Sequence, residues 1–246
     1  MKLNDLYNLI DDYCPFDSGF VWDNSGIMCG DKNDDITRVL VTLDADMSAC
    51  EKACEIGADV VVSHHPLIFD PLKSVTADHP VYHFIKNGIS VISAHTCLDS
   101  AAGGVSQILA EASGLENIEI IAEDGVNIAR AGISAEHDPD AFIENIKKSL
   151  PSSRCDAVIC RGVNRVMCVG GAGSGELSLA LACGCDTLVT GEAKHNHIID
   201  AKNMGLNLFA FGHFETENPV VHKLALYLAS HGLEVSEYNN SPYERR

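Results

Sequence analysis

Short apolar runs alternate with amphipathic stretches along most of the chain. In the first half this pattern predicts a strand, a helix, a strand, a helix and a strand, over residues 39–43, 47–56, 60–62, 79–86 and 89–93. Gly57 directly follows the first of these helices and is a typical helix stop. This order of elements is typical of a doubly wound α/β sheet with parallel strands. A further helix is predicted over residues 104–113.

The second half repeats the same alternation of strands and helices. Strands are predicted over residues 166–169, 187–189 and 206–211, and helices over residues 176–182, 198–204 and 219–231. Between the halves, residues 118–150 predict one strand and one helix (residues 140–149), followed by a loop at residues 151–153. We therefore predict a first α/β domain over residues 1–125, with residues 206–246 packing back on it, and a second α/β domain over residues 126–205.

The two halves can be aligned with each other, which indicates an internal duplication. Residues 57–63 match residues 184–190, and in each copy a helix is followed by a strand that ends in a small hydroxyl residue. His64-His65 follows the first copy, and Gly191-Glu192 follows the second. Each half then has a strand that precedes a histidine with a carboxylate four residues later. These histidine–carboxylate pairs are His95 with Asp99 and His213 with Glu217.

The placement of these residues predicts a metal site. Parallel α/β sheets collect ligands outside the carboxyl ends of their strands, and a spacing of four residues on a helical turn directs two side chains the same way. Imidazole and carboxylate without thiolate suit Zn, Mn, Fe or similar divalent ions. In extended backbone His64 and His65 would point to opposite sides and serve two neighbouring ions. A metal-free alternative is a polar cleft whose histidines only form hydrogen bonds.

The glycine-rich segment 170–175 has two interpretations. It lacks the Lys-Ser/Thr ending of a P-loop and matches a dinucleotide fingerprint only loosely. Its simplest role is a tight turn between a strand and a helix. Its backbone amides, with Ser174, are also candidates to bind an anion.

Composition narrows the possible partners and compartments. The 246 residues are 46% hydrophobic, enough for one large or two modest cores, and the formal net charge is −18. This charge disfavours a nucleic-acid backbone or an anionic membrane as the main partner. No apolar run is long enough to span a membrane, and Asp11 and Asp12 interrupt the N-terminal apolar stretch, so we expect a cytoplasmic protein. The ten cysteines include no C-x-x-C pair and are expected to be reduced, mostly buried thiols.

Five segments also carry a resemblance to a known family: Trp22–Gly26, Ser63–Phe69, His95–Asp99, Thr190–Glu192 and Gly212–Glu217. They resemble the NGG-interacting-factor-like proteins, whose bacterial members are called GTP cyclohydrolase I type 2 homologues or dinuclear metal-centre proteins. The resemblance extends over about residues 1–235. At this length, the chain resembles short members that lack the large domain inserted in the middle of longer ones.

The resemblance implies a fold, a site and an assembly. The fold is two similar α/β domains facing each other across a cleft, and the assembly is a homohexamer built as a trimer of dimers. The site binds two divalent ions per subunit (Zn, Fe, Mn or Co), and its implied ligands are His64, His65, Asp99, His213 and Glu217. Asp99 or Glu217 would bridge the ions. His95 would lie close by as a neighbour of the ligands or a proton-transfer group.

Two positions depart from the family pattern. Cys97 stands where members usually have Asn, and Asn196, preceded by His195, stands where they often have His. Cys97 thereby places a soft donor or an oxidisable thiol beside the predicted site.

The function that the resemblance implies is a metal-dependent hydrolase of the GTP cyclohydrolase type. Paired ions activate water for attack on a cyclic amidine such as the imidazole ring of GTP, which opens with release of formate. Glu192, the counterpart of His65, would accept a proton, hold a substrate N–H or orient a ligating histidine. The metals, with Lys73 and Lys194, would attract a triphosphate. The alternatives are a metal-binding regulatory or chaperone-like protein and a scaffold, both without turnover.

Overall fold

The computed structural model describes residues 1–150 and 154–243. The chain divides into two compact units, and its ends belong to the same one. The first unit contains Met1–Ala101 and the C-terminal segment from Val220 onward, and the second contains Ala102–Pro219. The loop predicted at residues 151–153 lies outside the described residues.

The first unit consists of a five-stranded sheet with helices. Its strands are β1 (Gly26–Cys29), β2 (Arg38–Thr42), β3 (Val60–Ser63), β4 (Ser90–Ser93) and β11 (Glu234–Tyr238). Its helices are α1 (Leu3–Tyr13), α2 (Met47–Ile56), α3 (Pro80–Lys86), α4 (Thr96–Ser100) and α10 (Pro219–Ser230), with a short 3-10 turn at Phe16–Ser18.

The order of strands in this sheet is β1-β4-β3-β2-β11. β11, β2, β3 and β4 are parallel, and β1 is antiparallel to β4 at the edge. The register pairs Thr42 with Ser63 and Ser63 with Ser93, so the three central strands end level with one another. The segments that follow these strands therefore leave the same edge of the sheet.

Local sequence explains the best predicted helix of this unit. The side chain of Asp46 caps the N-terminus of α2 by accepting a hydrogen bond from the Ala49 amide, and Gly57 ends the helix in the left-handed conformation. Ala49, Cys50 and Ala53 form its buried face. β3 is buried along its whole length, as expected for a central parallel strand.

The second unit consists of a six-stranded sheet with helices. Its strands are β5 (Leu115–Glu123), β6 (Val126–Ser134), β7 (Asp156–Val158), β8 (Arg165–Cys168), β9 (Thr187–Thr190) and β10 (Asn207–Ala210). Its helices are α5 (Val105–Ala112), α6 (Pro139–Ser149), α7 (Leu177–Ala182), α8 (His195–Met204) and α9 (His213–Glu217), with a 3-10 turn at Gly173–Glu176 before α7.

The order in the second sheet is β5-β6-β8-β9-β10-β7. β8, β9 and β10 are parallel, whereas β5, β6 and β7 pair antiparallel with their neighbours. Separate apolar clusters cover its faces: Phe142, Ile146 and Phe209 belong to one, and Met167 and Leu188 to the other. The neighbouring residues Leu188 and Val189 of β9 belong to different clusters. Side chains of successive residues point to opposite faces of a strand, so this sheet is buried on both faces.

Both sheets contain the same arrangement of four strands. In the first, β2, β3 and β4 are parallel neighbours, and the preceding strand β1 pairs antiparallel with β4. In the second, β8, β9 and β10 are parallel neighbours, and the preceding strand β7 pairs antiparallel with β10. An internal duplication would leave this arrangement. The α/β class predicted from the sequence is confirmed.

The structure differs from the sequence prediction in three respects. Both sheets are mixed rather than wholly parallel, because β1, β5, β6 and β7 run antiparallel. Residues 118–150 contain two strands instead of one, since Asp124-Gly125 forms a turn that pairs β5 with β6. The units also change at residues 101/102 and 219/220 rather than at 125/126 and 205/206, because β5 and β10 both belong to the second sheet.

The helices of the described residues include none with the length and apolar character needed to cross a membrane.

Glu176 generates a testable pH dependence. It is half-buried, and burial, a hydrogen bond with Glu123 and the charge of Glu123 raise its pKa from 4.5 to about 7. Between about pH 4.5 and pH 7 the folded protein keeps a proton that the unfolded chain releases, so the free energy of unfolding falls as pH rises through this window. We expect Glu176→Gln to remove this fall, so that it unfolds at a higher temperature than the parent at pH 8 and at a similar temperature at pH 4.

Thermal unfolding followed by circular dichroism across this pH range measures the effect. Glu116→Gln is the matched control, since Glu116 is exposed on the same strand as Glu123. A Glu176→Gln profile parallel to that of the parent would contradict the assignment.

Candidate metal centre

Three histidines come together at the carboxyl ends of β3 and β4. His64 and His65 follow β3 directly, and His95 lies two residues after β4. One ligand nitrogen from each lies within 4.8 Å of the other two. His64 is buried, and His65 and His95 are partly exposed. The three imidazoles therefore form a group that can hold a metal ion.

His64 and His65 lie close together in the structure. The chain bends at these two residues, and their ring centroids lie 4.9 Å apart. Both rings also lie close to His95, at 5.3 Å and 5.7 Å. The bend thus converts two neighbours in sequence into members of one group.

The Nδ1 atom of each ring contacts a hydrogen-bond acceptor. His64 Nδ1 lies 3.0 Å from the carbonyl oxygen of Ala94, and His65 Nδ1 lies 2.7 Å from Asp44 Oδ1. A carbonyl or a carboxylate oxygen accepts, so Nδ1 carries the proton. The neutral ring then has its lone pair on Nε2, the atom that a metal would bind.

The ring of His95 is held by a carboxylate that further hydrogen bonds keep in place. Its Nδ1 lies 2.7 Å from Oδ1 of Asp23, and this carboxylate also accepts hydrogen bonds from the amide and hydroxyl of Thr96. Burial alone would raise the pKa of Asp23, but the hydrogen bonds from His95 and Thr96 lower it well below its usual value. Asp23 is therefore a buried anion that fixes the orientation of the His95 ring.

Asp99 joins this group from the short helix that follows β4. His95 directly precedes α4, and the Asp99 amide donates to the His95 carbonyl oxygen, so the predicted histidine–carboxylate spacing does span one helical turn. Asp99 Oδ1 lies 3.6 Å from His64 Nε2. The first unit thus brings together His64, His65, His95 and Asp99 from the predicted site.

The second unit brings together the other three predicted residues. His213 begins α9, and Glu217 ends it one turn later. His213 Nε2 lies 2.9 Å from Glu217 Oε2, while His213 Nδ1 lies 2.9 Å from Glu192 Oε1. Glu192 follows β9, and His213 follows β10. The second unit therefore also places an imidazole nitrogen next to a carboxylate, in the pair His213 and Glu217.

Two glycines make room for this pair. Gly171 has a left-handed backbone conformation, with φ of 55°. A Cβ at this position would collide with Glu217 Oε1 and would lie 3.1 Å from His213 Nε2. A Cβ on Gly191 would lie 2.7 Å from both the Gly171 carbonyl oxygen and Thr216 Oγ1, and 2.8 Å from His213 Cα. The glycines after β8 and β9 thus let the backbone approach the His213–Glu217 pair closely.

The glycine-rich segment forms a turn whose serine has structural contacts. Ser174 is buried, its hydroxyl lies 3.0 Å from His197 Nδ1, and it accepts a hydrogen bond from the Lys194 amide at 3.4 Å. These contacts join the turn to the start of α8. The turn expected between a strand and a helix is present, and the Ser174 hydroxyl serves to hold it in place.

Cys97 is buried on α4, between His95 and Asp99 in sequence. Its thiol lies 3.7 Å from Ser25 Oγ, and a hydrogen bond with Cys14 lowers its pKa while burial opposes this shift. All ten cysteines are free in the structure. Cys97 therefore packs behind the histidine group with Cys14 and Ser25 as neighbours.

Asp44 and Asp23 are the residues that sequence reasoning missed. Asp44 lies two residues after β2, at the carboxyl end of a parallel strand, which is the same signal that selected the histidines. Asp23 lies in the Trp22–Gly26 segment of the family resemblance, but no regular element indicates its position. Only the folded chain brings these carboxylates to the imidazole rings.

The fold and these side chains define a class of protein: α/β proteins with histidine and carboxylate groups that can hold a metal ion. The chain belongs to the Duf34/NIF3 (NGG1p interacting factor 3) family, whose sequence profile matches residues 1–242. The family resemblance noted from the sequence is thereby confirmed.

Relatives named GTP cyclohydrolase 1 type 2 homolog match almost the whole chain. The protein of that name from Clostridium perfringens is 34% identical over 237 residues, which cover 92% of this chain and 90% of the relative. The one from Clostridium acetobutylicum is 27% identical and covers 99% and 98%.

Solved structures match at similar coverage. The crystal structure of Staphylococcus aureus hypothetical protein SA1388 superposes with a TM-score of 0.90 at 26% identity, covering 100% of this chain and 99% of that one. Reduced HcgD from Methanocaldococcus jannaschii superposes with a TM-score of 0.86 at 27% identity, covering 98% of each.

Removing the carboxylate behind His65 is expected to weaken metal binding. Asp44→Ala deletes the acceptor at Nδ1, so the ring is no longer held in the form that presents Nε2. Loss of such a partner typically costs about 10–100-fold in metal affinity. Asp44→Asn keeps an oxygen acceptor but removes the charge, and we expect an intermediate loss. Competition with a chromogenic zinc chelator gives the Kd values.

The control for this prediction is Asp12→Ala, which removes an exposed carboxylate from α1. Equal zinc affinity in Asp44→Ala and Asp12→Ala would show that Asp44 does not position His65.

Gly191→Ala is expected to destabilise the second unit. The added methyl group would press on backbone atoms of Gly171 and His213, which cannot rotate away, and overpacking of this kind typically costs about 1–3 kcal/mol. Thermal unfolding measures the loss. Gly175→Ala is the matched control, because its nearest neighbour would be His197 Cε1 at an ordinary 3.9 Å. A similar unfolding temperature for both variants would refute the crowding at residue 191.

Proposed function

We propose that this protein is a metal-dependent hydrolase with two divalent ions per subunit. The proposed ligands are those that the family resemblance implies: His64, His65, Asp99, His213 and Glu217. One observation above all supports this proposal. In each of the three histidines of this set, Nδ1 contacts a hydrogen-bond acceptor, and Nε2 of His64 and of His213 faces a carboxylate of the same set, at 3.6 Å and 2.9 Å.

The donor set fits a divalent ion of the borderline class. Imidazole nitrogens and carboxylate oxygens are the ligands of Zn, Fe, Mn and Co in proteins, and cellular supply decides among these metals. His64, His65 and His95 supply nitrogens within 4.8 Å of one another, and Asp99 adds a carboxylate oxygen 3.6 Å from His64 Nε2. The backbone at Gly171 lies close to the His213–Glu217 pair, and a side chain at this position would prevent that approach.

The bound ions would polarise the bond under attack and lower the pKa of a water molecule towards neutrality. His95 is suited to move a proton in such a reaction. The ionised Asp23 holds Nδ1 of His95, which leaves Nε2 as the ring atom that can accept a proton. This pairing is the strongest support for the role proposed for His95.

Glu192 has a different environment. Of the roles considered for it, the contact between its Oε1 and His213 Nδ1 at 2.9 Å favours orientation of the imidazole over direct transfer of a proton to substrate. We therefore propose that Glu192 acts through His213.

The names of the relatives suggest the substrate class. The proteins of Clostridium perfringens and Clostridium acetobutylicum are named GTP cyclohydrolase 1 type 2 homolog. We propose a cyclic amidine as substrate, with GTP as the first compound to test. Water would add to the imidazole ring, the ring would open, and a second hydrolysis would release formate.

The proposal includes an assembly and a compartment. The family resemblance implies a homohexamer, built as a trimer of dimers. The compartment is the cytoplasm, where the ten thiols would stay reduced. Light scattering of the purified protein tests the assembly, and a monomer would contradict it.

Metal analysis and turnover together test the function. Protein purified without added metal should contain about two divalent ions per subunit, and the loaded protein should release formate from GTP. His64→Ala and Glu217→Ala should each lower the metal content and reduce turnover about a hundredfold or more, since each removes a ligand. His222→Ala is the control, because His222 is a surface histidine with 62% of its side chain exposed.

The alternative function gives a different result. Protein that binds the metals through these ligands, but turns over neither GTP nor other nucleotides nor phosphodiesters, would be a metal-binding regulatory or chaperone-like protein instead of a hydrolase. Protein that binds no divalent ion at saturating concentration would refute both functions.

A further inference from the structure

We propose that Trp22 and Phe69 form a stacking site for a planar heteroaromatic ring of the nucleobase class, next to the histidine group of the first unit. The inference deepens the proposed function and rests on it for the reaction, but the binding of the ring can be tested independently of turnover.

Both side chains are large, apolar and well exposed. Trp22 is 62% exposed and Phe69 is 52% exposed, although they belong to a unit with a well-buried core. Exposed apolar side chains that lie together often mark a binding surface. Their ring centroids are 6.1 Å apart at an angle of 51°, so neither ring covers the face of the other.

The two rings belong to a continuous series that ends at His95. Phe20 stacks on Trp22 at 5.3 Å and 13°, and Phe69 contacts His95 edge to face at 6.0 Å and 75°. Phe69 is therefore the member of the pair that adjoins His95, and a ring placed on Phe69 would lie near the imidazole that we propose as the proton-transfer group. The series therefore extends from the exposed rings to the histidine group of the same unit.

The segments that carry these rings are held together. Asn24 Nδ2 donates to the Ile68 carbonyl oxygen at 2.5 Å, which joins the segment of Trp22 to the segment of Phe69. Asp23, between Trp22 and Asn24, is anchored to His95 and Thr96 after β4. A platform that is ordered before binding loses less conformational entropy when the ligand arrives.

The chemistry of the platform selects the ligand class. Aromatic faces bind flat π-systems through stacking, and this interaction does not depend on one pattern of hydrogen bonds. A sugar phosphate without a nucleobase has no aromatic face to stack, and the net charge of −18 gives it no general attraction. The feature that Trp22 and Phe69 would recognise is thus the heteroaromatic ring, rather than the phosphate of a nucleotide.

The chain contains a single tryptophan, so tryptophan emission, excited at wavelengths that tyrosine does not absorb, reports on Trp22 alone. Protein freed of metal with a chelator is titrated with guanosine 5′-monophosphate, and, in parallel, with ribose 5-phosphate, which lacks the nucleobase. We expect saturable quenching by the nucleotide only. Phe69→Leu should weaken nucleotide binding about tenfold, the effect of losing one stacking partner.

Tyr82→Leu is the matched control, because Tyr82 is an exposed aromatic residue on α3 of the same unit, and its nucleotide affinity should equal that of the parent. Three results would overturn the proposal. They are equal binding of ribose 5-phosphate, unchanged nucleotide affinity in Phe69→Leu, and a Trp22 emission that responds to protein concentration but not to nucleotide. The last result would show that a second copy of the chain covers the rings.

The binding assay contains no metal and no turnover, which separates this proposal from the proposed function. Nucleotide binding without any hydrolysis would support the stacking site and count against the hydrolase. Hydrolysis of GTP with an unchanged KM in Phe69→Leu would support the hydrolase and overturn the stacking site.

Discussion

The candidate site depends on how each imidazole uses its two nitrogens. A ring whose Nδ1–H donates to a fixed acceptor can present only Nε2 to a ligand, and its orientation is set by the same hydrogen bond. In the first unit His64, His65 and His95 meet this condition, with the Ala94 carbonyl, Asp44 and Asp23 as their acceptors, whereas in the second unit His213 lies between two carboxylates, Glu192 and Glu217. These oxygen atoms come from different segments, so the orientation of the rings is a property of the fold.

The sheets explain why these side chains come together within each unit. In each sheet three parallel strands end within one residue of one another, so the segments that follow them begin at the same edge. Small residues then allow close approach: Ser63 and Ser93 touch across β3 and β4, and Gly191 lies against Gly171 after β9 and β8. The same strands therefore form the core and position the site: their buried residues pack in the core and fix the polar residues that follow the strand ends.

The first unit combines two kinds of surface that a catalyst of ring hydrolysis would need. Histidines with defined tautomers lie at the strand ends, and exposed aromatic rings continue outward from His95. Asp23 connects the two, because it orients His95 and directly follows Trp22. The aromatic series would give a substrate ring a place close to the imidazoles, whereas the histidine group alone would serve many reactions of bound metal ions.

The sequence by itself determined the alternation of strands and helices, the bounds of α2, and the histidine–carboxylate spacing on α4 and α9. These features follow from local periodicity, capping residues and the geometry of one helical turn. Only the tertiary structure decided the partner strand β6, the unit boundaries, the convergence of His64 with His65, and the roles of Asp44 and Asp23. Strand pairing and the meeting of Asp23 with His95, 72 residues apart, depend on contacts between distant segments, and no local pattern encodes them.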